Sequence, residues 1–190
     1  MPRTKKQYDE IKKKKRAIIL QAALEVFAEK SFLGTSVSSI AKKAGVSKGL
    51  LYSYFESKDD LLKKIIFEGV DEFITAFDIN KDGVLTQEEF IYFVEETFVL
   101  LEKDTHFWKL YFSIIVQPAV MALVQDKFLE ILTPLLKILI EYYQNRGVKN
   151  PIAHARLLGA VLDGVFFNYI IDPVGFPIDD IKKLIIEKIV

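Results

Sequence analysis

Cysteine is absent from this 190-residue chain, and histidine, methionine and tryptophan are scarce, at two, two and one. Without cysteine there is no disulfide framework and no thiolate metal site, which fits a cytoplasmic protein. His106 and His154 stand far apart, with no H-E-x-x-H pair and no glycine-rich nucleotide loop between them. The carboxylate pairs Asp59/Asp60 and Glu88/Glu89 fall at expected helix starts, where acidic residues favour the helix dipole without any catalytic role. No enzyme and no resident cofactor are therefore expected. No apolar run reaches the length of a membrane span, and the N-terminal stretch is too basic and polar for a signal peptide. No membrane partner is expected either.

A net charge of zero hides a strong split. Residues 1–64 hold 15 Lys/Arg against 7 Asp/Glu, a net of +8, and residues 65–190 hold 11 against 19, a net of −8. Such a split suggests a basic head that meets a polyanion and an acidic body that does not. Hydrophobic residues make up 51% of the chain, too many for disorder.

The apolar spacing reads as helix nearly throughout. A first helix over 10–30 places Ile18, Ala22, Leu24, Val26 and Phe27 near one stripe, behind the basic run Lys12–Arg16. Thr35 and Ser36 are cap candidates for a short helix with Val37, Ile40 and Ala41 turned inward; Ser47 caps a second one. Ser57 and Asp60 form a capping-box pattern ahead of a helix over 58–77. Further helices are expected over 86–101, 105–115, 118–143 with a kink at Pro134, 151–171 and 178–189.

Two short helices joined by "AGVS" behind a longer one form a helix-turn-helix plan. Ala41, Val46 and Leu51 can hold the pair together. The second helix can then present Ser47, Lys48, Tyr52, Ser53 and Tyr54 to a major groove, with Lys58 placed for backbone phosphate. Arg3, Lys5 and Lys6 add charge to the arm.

The stretch "VSSIAKKAGVSKGLLYSYFESKDDLL", with the apolar helix from residue 17 in front of it, resembles the N-terminal signature of TetR-family transcriptional regulators. The resemblance implies an all-α protein: a three-helix DNA-binding head over 1–56 and a larger helical effector-binding and dimerisation domain over 57–190. It also implies a dimer on palindromic operator DNA, most often a repressor, released by a small hydrophobic effector. Carried over by motif position, Thr35, Ser36, Ser38, Ser47, Lys48, Tyr52, Ser53, Tyr54 and Lys58 become the DNA-facing set. Leu50 stands where threonine is frequent in the family, and Ser53 where His, Tyr or Arg is common, so the operator sequence stays open.

Residues 100–145 are dense in large apolar groups. Trp108, Tyr111, Phe112, Met121, Phe128 and Tyr142, together with Phe166 and Tyr169, are the candidate lining of an apolar effector cavity, with His106 and Gln117 as polar members. A plain helix bundle would want the same residues as core. The apolar helices within 151–190, with small Gly159 and Gly164 beside Leu158, Val161, Leu162 and Val165, look like the family's homodimer face. A monomer with these helices internal is the alternative.

One motif belongs to a different trade. "DINKDGVLTQEEF" places Asp78, Asn80, Asp82, Val84, Thr86 and Glu89 at the positions of a calcium-binding EF-hand loop, with Gly83 at its turn. A calcium sensor is thus the alternative function. Against it, no facing second loop is present, Thr86 and Glu89 also spell a capping box, and Asp78, Asn80 and Gly83 are ordinary turn formers. The loop is read as a helix–helix connection that imitates a calcium site.

Overall fold

Short polar side chains start the helices. Thr4 opens α1 (Lys5–Lys30) through a reciprocal box with Gln7, Ser36 opens α2 (Val37–Lys43), and Ser47 opens α3 (Lys48–Tyr52). Then come α4 (Lys58–Phe77) and α5 (Gln87–Lys103), the latter boxed by Thr86 and Glu89. The series ends with α6 (Thr105–Ile115), α7 (Pro118–Asn145), α8 (Pro151–Ile171) and α9 (Ile178–Lys188). The computed structural model describes residues 4–77 and 80–190. Among them every regular element is a helix, as the periodicity requires.

Three details depart from the sequence reading. The first helix begins at Lys5 rather than at residue 10, because the Thr4–Gln7 box supplies a start ahead of the lysine run. Ile19, fully buried, takes the core position expected of Ile18, which is 47% exposed, while Ala22, Leu24, Val26 and Phe27 are buried as expected. Ser57 accepts from Asp60 N–H at 3.0 Å, but the Asp60 carboxylate accepts from Glu56 N–H, so that box is not closed. As the sequence places it, Pro134 lies inside one continuous helix, α7. Glu130 and Pro134 are exposed, so the Glu130 carbonyl that proline leaves unmatched has access to water.

The chain packs as two compact units. One comprises Met1–Gly69 and Leu110–Gln125, the other Val70–Lys109 and Asp126–Val190. By chain continuity α4, α6 and α7 each pass from one to the other. This division by packing differs from the boundary at residue 56 expected from the sequence.

In the first unit Ile19, Ala23 and Phe27 of α1, Ile40 of α2, Leu51 of α3, Phe55, and Leu61, Leu62 and Ile66 of α4 are buried. Each large side chain so removed from water contributes about 1.5–3 kcal/mol. Gly45, between α2 and α3, has φ +63°, a conformation that strains any residue with a Cβ. The pair α2–α3 is thereby turned tightly enough for Ala41 and Leu51 to share one core, while Val46 is half-buried.

In the second unit α5 packs on α9 and buries Phe90, Val94, Phe98 and Leu101. The Tyr142 and Tyr143 hydroxyls donate to the carbonyls of Val190 (3.1 Å) and Ile189 (2.7 Å), tying α7 to the residues that follow α9. Edge-on stacking of Phe90 on Tyr142, at 5.0 Å, joins α5 to the same knot. No single helix among the described residues is long and apolar enough to cross a membrane.

Candidate nucleic-acid interface

Within the first unit α3 is held by Leu51 and turns its other sides outward. Lys48, Leu50 and Tyr52 are exposed, Tyr52 by 52%, and Tyr54 is half-buried. An ammonium, an aliphatic side chain and a phenol on one short rigid helix suit a groove that offers phosphates, thymine methyls and acceptor base edges. The serines play a different part. Ser47 Oγ accepts from Leu50 N–H at 3.1 Å, and the Ser53 hydroxyl donates to Leu50 O at 2.7 Å. Both remain exposed, so each fixes an end of α3 while keeping lone pairs for a partner. Ser36 is likewise an exposed cap, accepting from Ser39 N–H at 3.2 Å, and Ser38 is exposed on α2.

Two members of the expected set are turned inward. Thr35 is 4% exposed, and its hydroxyl donates to Ser31 O at 2.7 Å and Val26 O at 3.2 Å; it closes the end of α1. Lys58 reaches back with its ammonium to Phe32 O (2.9 Å) and Thr35 O (3.0 Å), over the Phe32 ring at 4.4 Å. A lysine spent in this way rigidifies the head and keeps one N–H for phosphate. Lys43 bridges from α2 to Glu25 (2.9 Å) and Glu29 (3.5 Å) of α1. Arg16 forks onto both oxygens of Glu68. The basic run is therefore not uniform: Lys12, Lys13 and Lys14 are exposed, while Arg16 is engaged with α4.

The candidate effector residues are distributed over both units. Trp108 belongs to the second, where its ring meets Phe107 (4.9 Å), Phe73 (5.1 Å) and Phe166 (5.5 Å), and its indole N–H donates to Leu100 O at 2.9 Å. Phe128 and Tyr169 are half-buried in this unit, and Tyr142 sits in the separate knot with Phe90. Tyr111, Phe112 and Met121 fall in the first unit. Tyr111 is buried and donates to Ile66 O of α4 at 3.3 Å; burial pushes its phenol well above the ordinary tyrosine range. Met121 is exposed. His106 is exposed as well, and Gln117 turns to the end of α1.

Around α8 the exposed face differs from the expected one. Leu158 and Val165 are buried within the protomer and Leu162 is half-buried, whereas Leu157, Ala160, Phe167 (59%) and Ile171 (66%) are exposed. With Gly164 they recur at three- and four-residue steps, an apolar stripe along one side of the helix. That spacing was readable in the sequence, but α8 is apolar all round, which hid which stripe faces out. Asp163 flanks it, its carboxyl raised above the usual range by partial burial.

In the calcium-like loop, Asp78 lies outside the described residues. Asn80 and Asp82 bond to each other, Asp82 Oδ1 accepts from Val84 N–H at 2.8 Å, and Gly83 has φ +76°. The Glu89 carboxylate accepts from Thr86 N–H at 2.9 Å and Thr86 Oγ1 from Glu89 N–H at 3.1 Å. Each of these side chains has a local structural use. Among the described residues no group of three or more acidic, histidine or cysteine side chains could hold a metal ion.

Comparison with known proteins assigns the head. Residues 19–65 match the family model for bacterial regulatory proteins of the tetR family. The fatty acid metabolism regulator protein of Bacillus subtilis (strain 168) is 36% identical over 87 residues, 45% of each chain, so the match spans less than half the length of that relative. The transcriptional regulator PksA of the same organism is 27% identical over 97% of this chain and 91% of its own. The solved structure of the transcriptional regulator FadR from Bacillus subtilis in complex with stearoyl-CoA shares the fold, with a TM-score of 0.69 at 24% identity over 92% of this chain and 97% of that one. A helix-turn-helix with its second helix turned outward thus carries the tetR-family match over residues 19–65, at the head of an all-helical chain that shares its fold with that regulator.

Proposed function

We propose that this chain is a ligand-responsive repressor that binds a palindromic operator as a homodimer and is released by a small apolar effector. The observation that carries the reading is α3: a short helix fixed by Leu51 and Gly45 that sends Lys48, Leu50 and Tyr52 into solvent. A short helix held by the core on one side is rigid enough to present these side chains to a groove on the other. Residues 1–56 are the DNA-reading part and residues 57–190 bind effector and hold the dimer. Lys48 and Tyr52 make the leading contacts, Ser36, Ser38, Ser47, Ser53 and Tyr54 support them, and Thr35 and Lys58 act chiefly by holding the head rigid.

The dimer forms through residues 151–190, with the outer stripe of α8 against its copy. Two copies give the two-fold symmetry that successive half-sites one helical turn apart require. For the effector, the Trp108–Phe73–Phe166 cluster offers a wide aromatic surface for an elongated apolar molecule. Similarity to fatty acid regulators makes a long-chain acyl thioester the first compound to try. Selection from genomic DNA fragments at moderate salt tests the whole reading: a palindrome should be enriched, and enrichment of none would refute it.

A further inference from the structure

The turn between α1 and α2 is gripped by a side chain distant in sequence. Ser31, which ends α1, has φ 62° and ψ 162°, so the chain leaves the helix without folding back onto its last carbonyls. Phe32 N–H is thereby directed away from the helix, and Gln117 Oε1, from the break between α6 and α7, accepts it at 2.8 Å. The other end of the same amide donates to Phe27 O, a carbonyl of the last turn of α1, at 3.5 Å and to Ser113 O at 3.2 Å. The orientation of the amide follows from its partners, since an N–H can only be met by the oxygen and carbonyls only by the nitrogen. Lys58 holds the carbonyl of the same Phe32, whose ring is buried against Phe27 at 5.4 Å. Gly34 completes the turn: a Cβ there would lie 2.4 Å from Lys30 O.

Gln117 and the turn belong to one packing unit, and α6 and α7 continue by chain into the other. We infer that Gln117 is a positioning residue that fixes the helix-turn-helix to the α6–α7 segment and so sets the half-site spacing the dimer accepts. This rests on the DNA-binding reading above. Covalently the head is joined to the rest only through α4. The Gln117 grip adds a second point of attachment, and a head held at two points rejects a wrong spacing that a head held at one tolerates.

The test uses the full chain with three duplexes: the palindrome enriched by genomic selection, the same duplex with two base pairs inserted at its centre, and a single half-site. The Gln117→Leu variant should keep its helix content and bind the half-site as wild type does. Its preference for the native over the lengthened palindrome should fall by roughly tenfold, the worth of one well-made hydrogen bond. Amide exchange at Phe32 should quicken in the same variant. Should that variant not fold, Gln117→Met, unbranched and of similar length, takes its place. Val116→Ala, at the exposed neighbour, should leave the preference intact. A folded Gln117 variant with wild-type spacing preference overturns the inference. Loss of Phe32 protection together with loss of spacing preference supports it. Absence of any enriched palindrome for the wild type would instead refute the DNA-binding reading, and the Phe32 exchange would still report the grip.

Discussion

Lys58 and Lys48 are both lysines of the head, yet the geometry gives them different work. Lys58 satisfies two carbonyls of the α1–α2 turn, and Lys48 stands exposed on α3. Replacing Lys58 by Met leaves those carbonyls partly buried and short of donors, at about 1–3 kcal/mol. The expected result is a melting temperature lower by several degrees, on the order of 2–4 °C per kcal/mol for a chain of this size. Lys48→Ala should leave melting unchanged and instead reduce the salt dependence of DNA binding by about one unit of slope. Equal melting temperatures for the two variants would contradict this division. A motif specifies residue type and spacing, and here it put Lys58 in the DNA-facing set, whereas its ammonium is turned to the α1–α2 turn. Which way the ammonium turns depends on Phe32 and Thr35, more than twenty residues earlier, and no local pattern states that. Tyr143 offers a second test at this scale. Burial, with Tyr142 beside it, pushes its phenol up to about 12, and its bond to Ile189 O needs the proton. A pKa raised by folding means that the unfolded chain loses its proton first. The contribution is complete below the ordinary tyrosine pKa of about 10 and is lost as pH climbs toward 12. Unfolding free energies from urea titrations at pH 8 and pH 11 should differ by about 1 kcal/mol less in Tyr143→Phe than in wild type.

At the scale of elements, capping residues and apolar spacing decided most of what formed. Ser36, Ser47 and Thr86 start α2, α3 and α5 where the pattern placed them. The faces were harder to read than the spans. A helix with polar residues on one side announces its buried face, but α8 is apolar all round, so either stripe could have been the inner one. Leu158, Val165 and Phe166 went in, and Leu157, Phe167 and Ile171 stayed out. Charge placed on the two stripes must therefore act differently. Phe167→Asp should leave the protomer folded and shift sedimentation from dimer to monomer at micromolar concentration. Val165→Asp buries an unpaired carboxylate within the protomer, and the expected loss of folding stability is several kcal/mol. If Phe167→Asp remained a dimer, the stripe would not be the interface. The same contrast explains the calcium-like loop: its residue types suit a metal, but Asp82, Thr86 and Glu89 already satisfy the backbone of the turn and of α5.

At the scale of the whole molecule, the charge split and the helical content were plain from where charges and apolar residues fall along the chain, while the packing division was not. A boundary at residue 56 follows from where the signature ends. The packing unit goes on to Gly69 and takes in Leu110–Gln125, through bonds such as Tyr111 to Ile66 O and Gln117 to Phe32 N–H. Those bonds join residues 45 and 85 positions apart, a separation that periodicity does not reach. They mean that α4, α6 and α7 each belong partly to the first packing unit and partly to the unit that carries Trp108. An effector seated on the Trp108 cluster would touch α6 directly, and α6 continues into the head's own packing. Effector and operator should then compete through these helices, and linkage requires the competition to be reciprocal. A long-chain acyl thioester, the effector class proposed above, should change Trp108 emission when titrated into the protein, because the indole is stacked among Phe73, Phe107 and Phe166. With saturating operator present, its apparent affinity should fall by the same factor by which it weakens operator binding, on the order of 5- to 150-fold for couplings of 1–3 kcal/mol. Phe166→Ala, which opens the cluster while leaving α3 untouched, should reduce the ligand's affinity and preserve operator binding without ligand. Emission that responds to ligand but not to operator, with operator affinity unchanged, would mean the aromatic cluster binds a molecule without regulating the head.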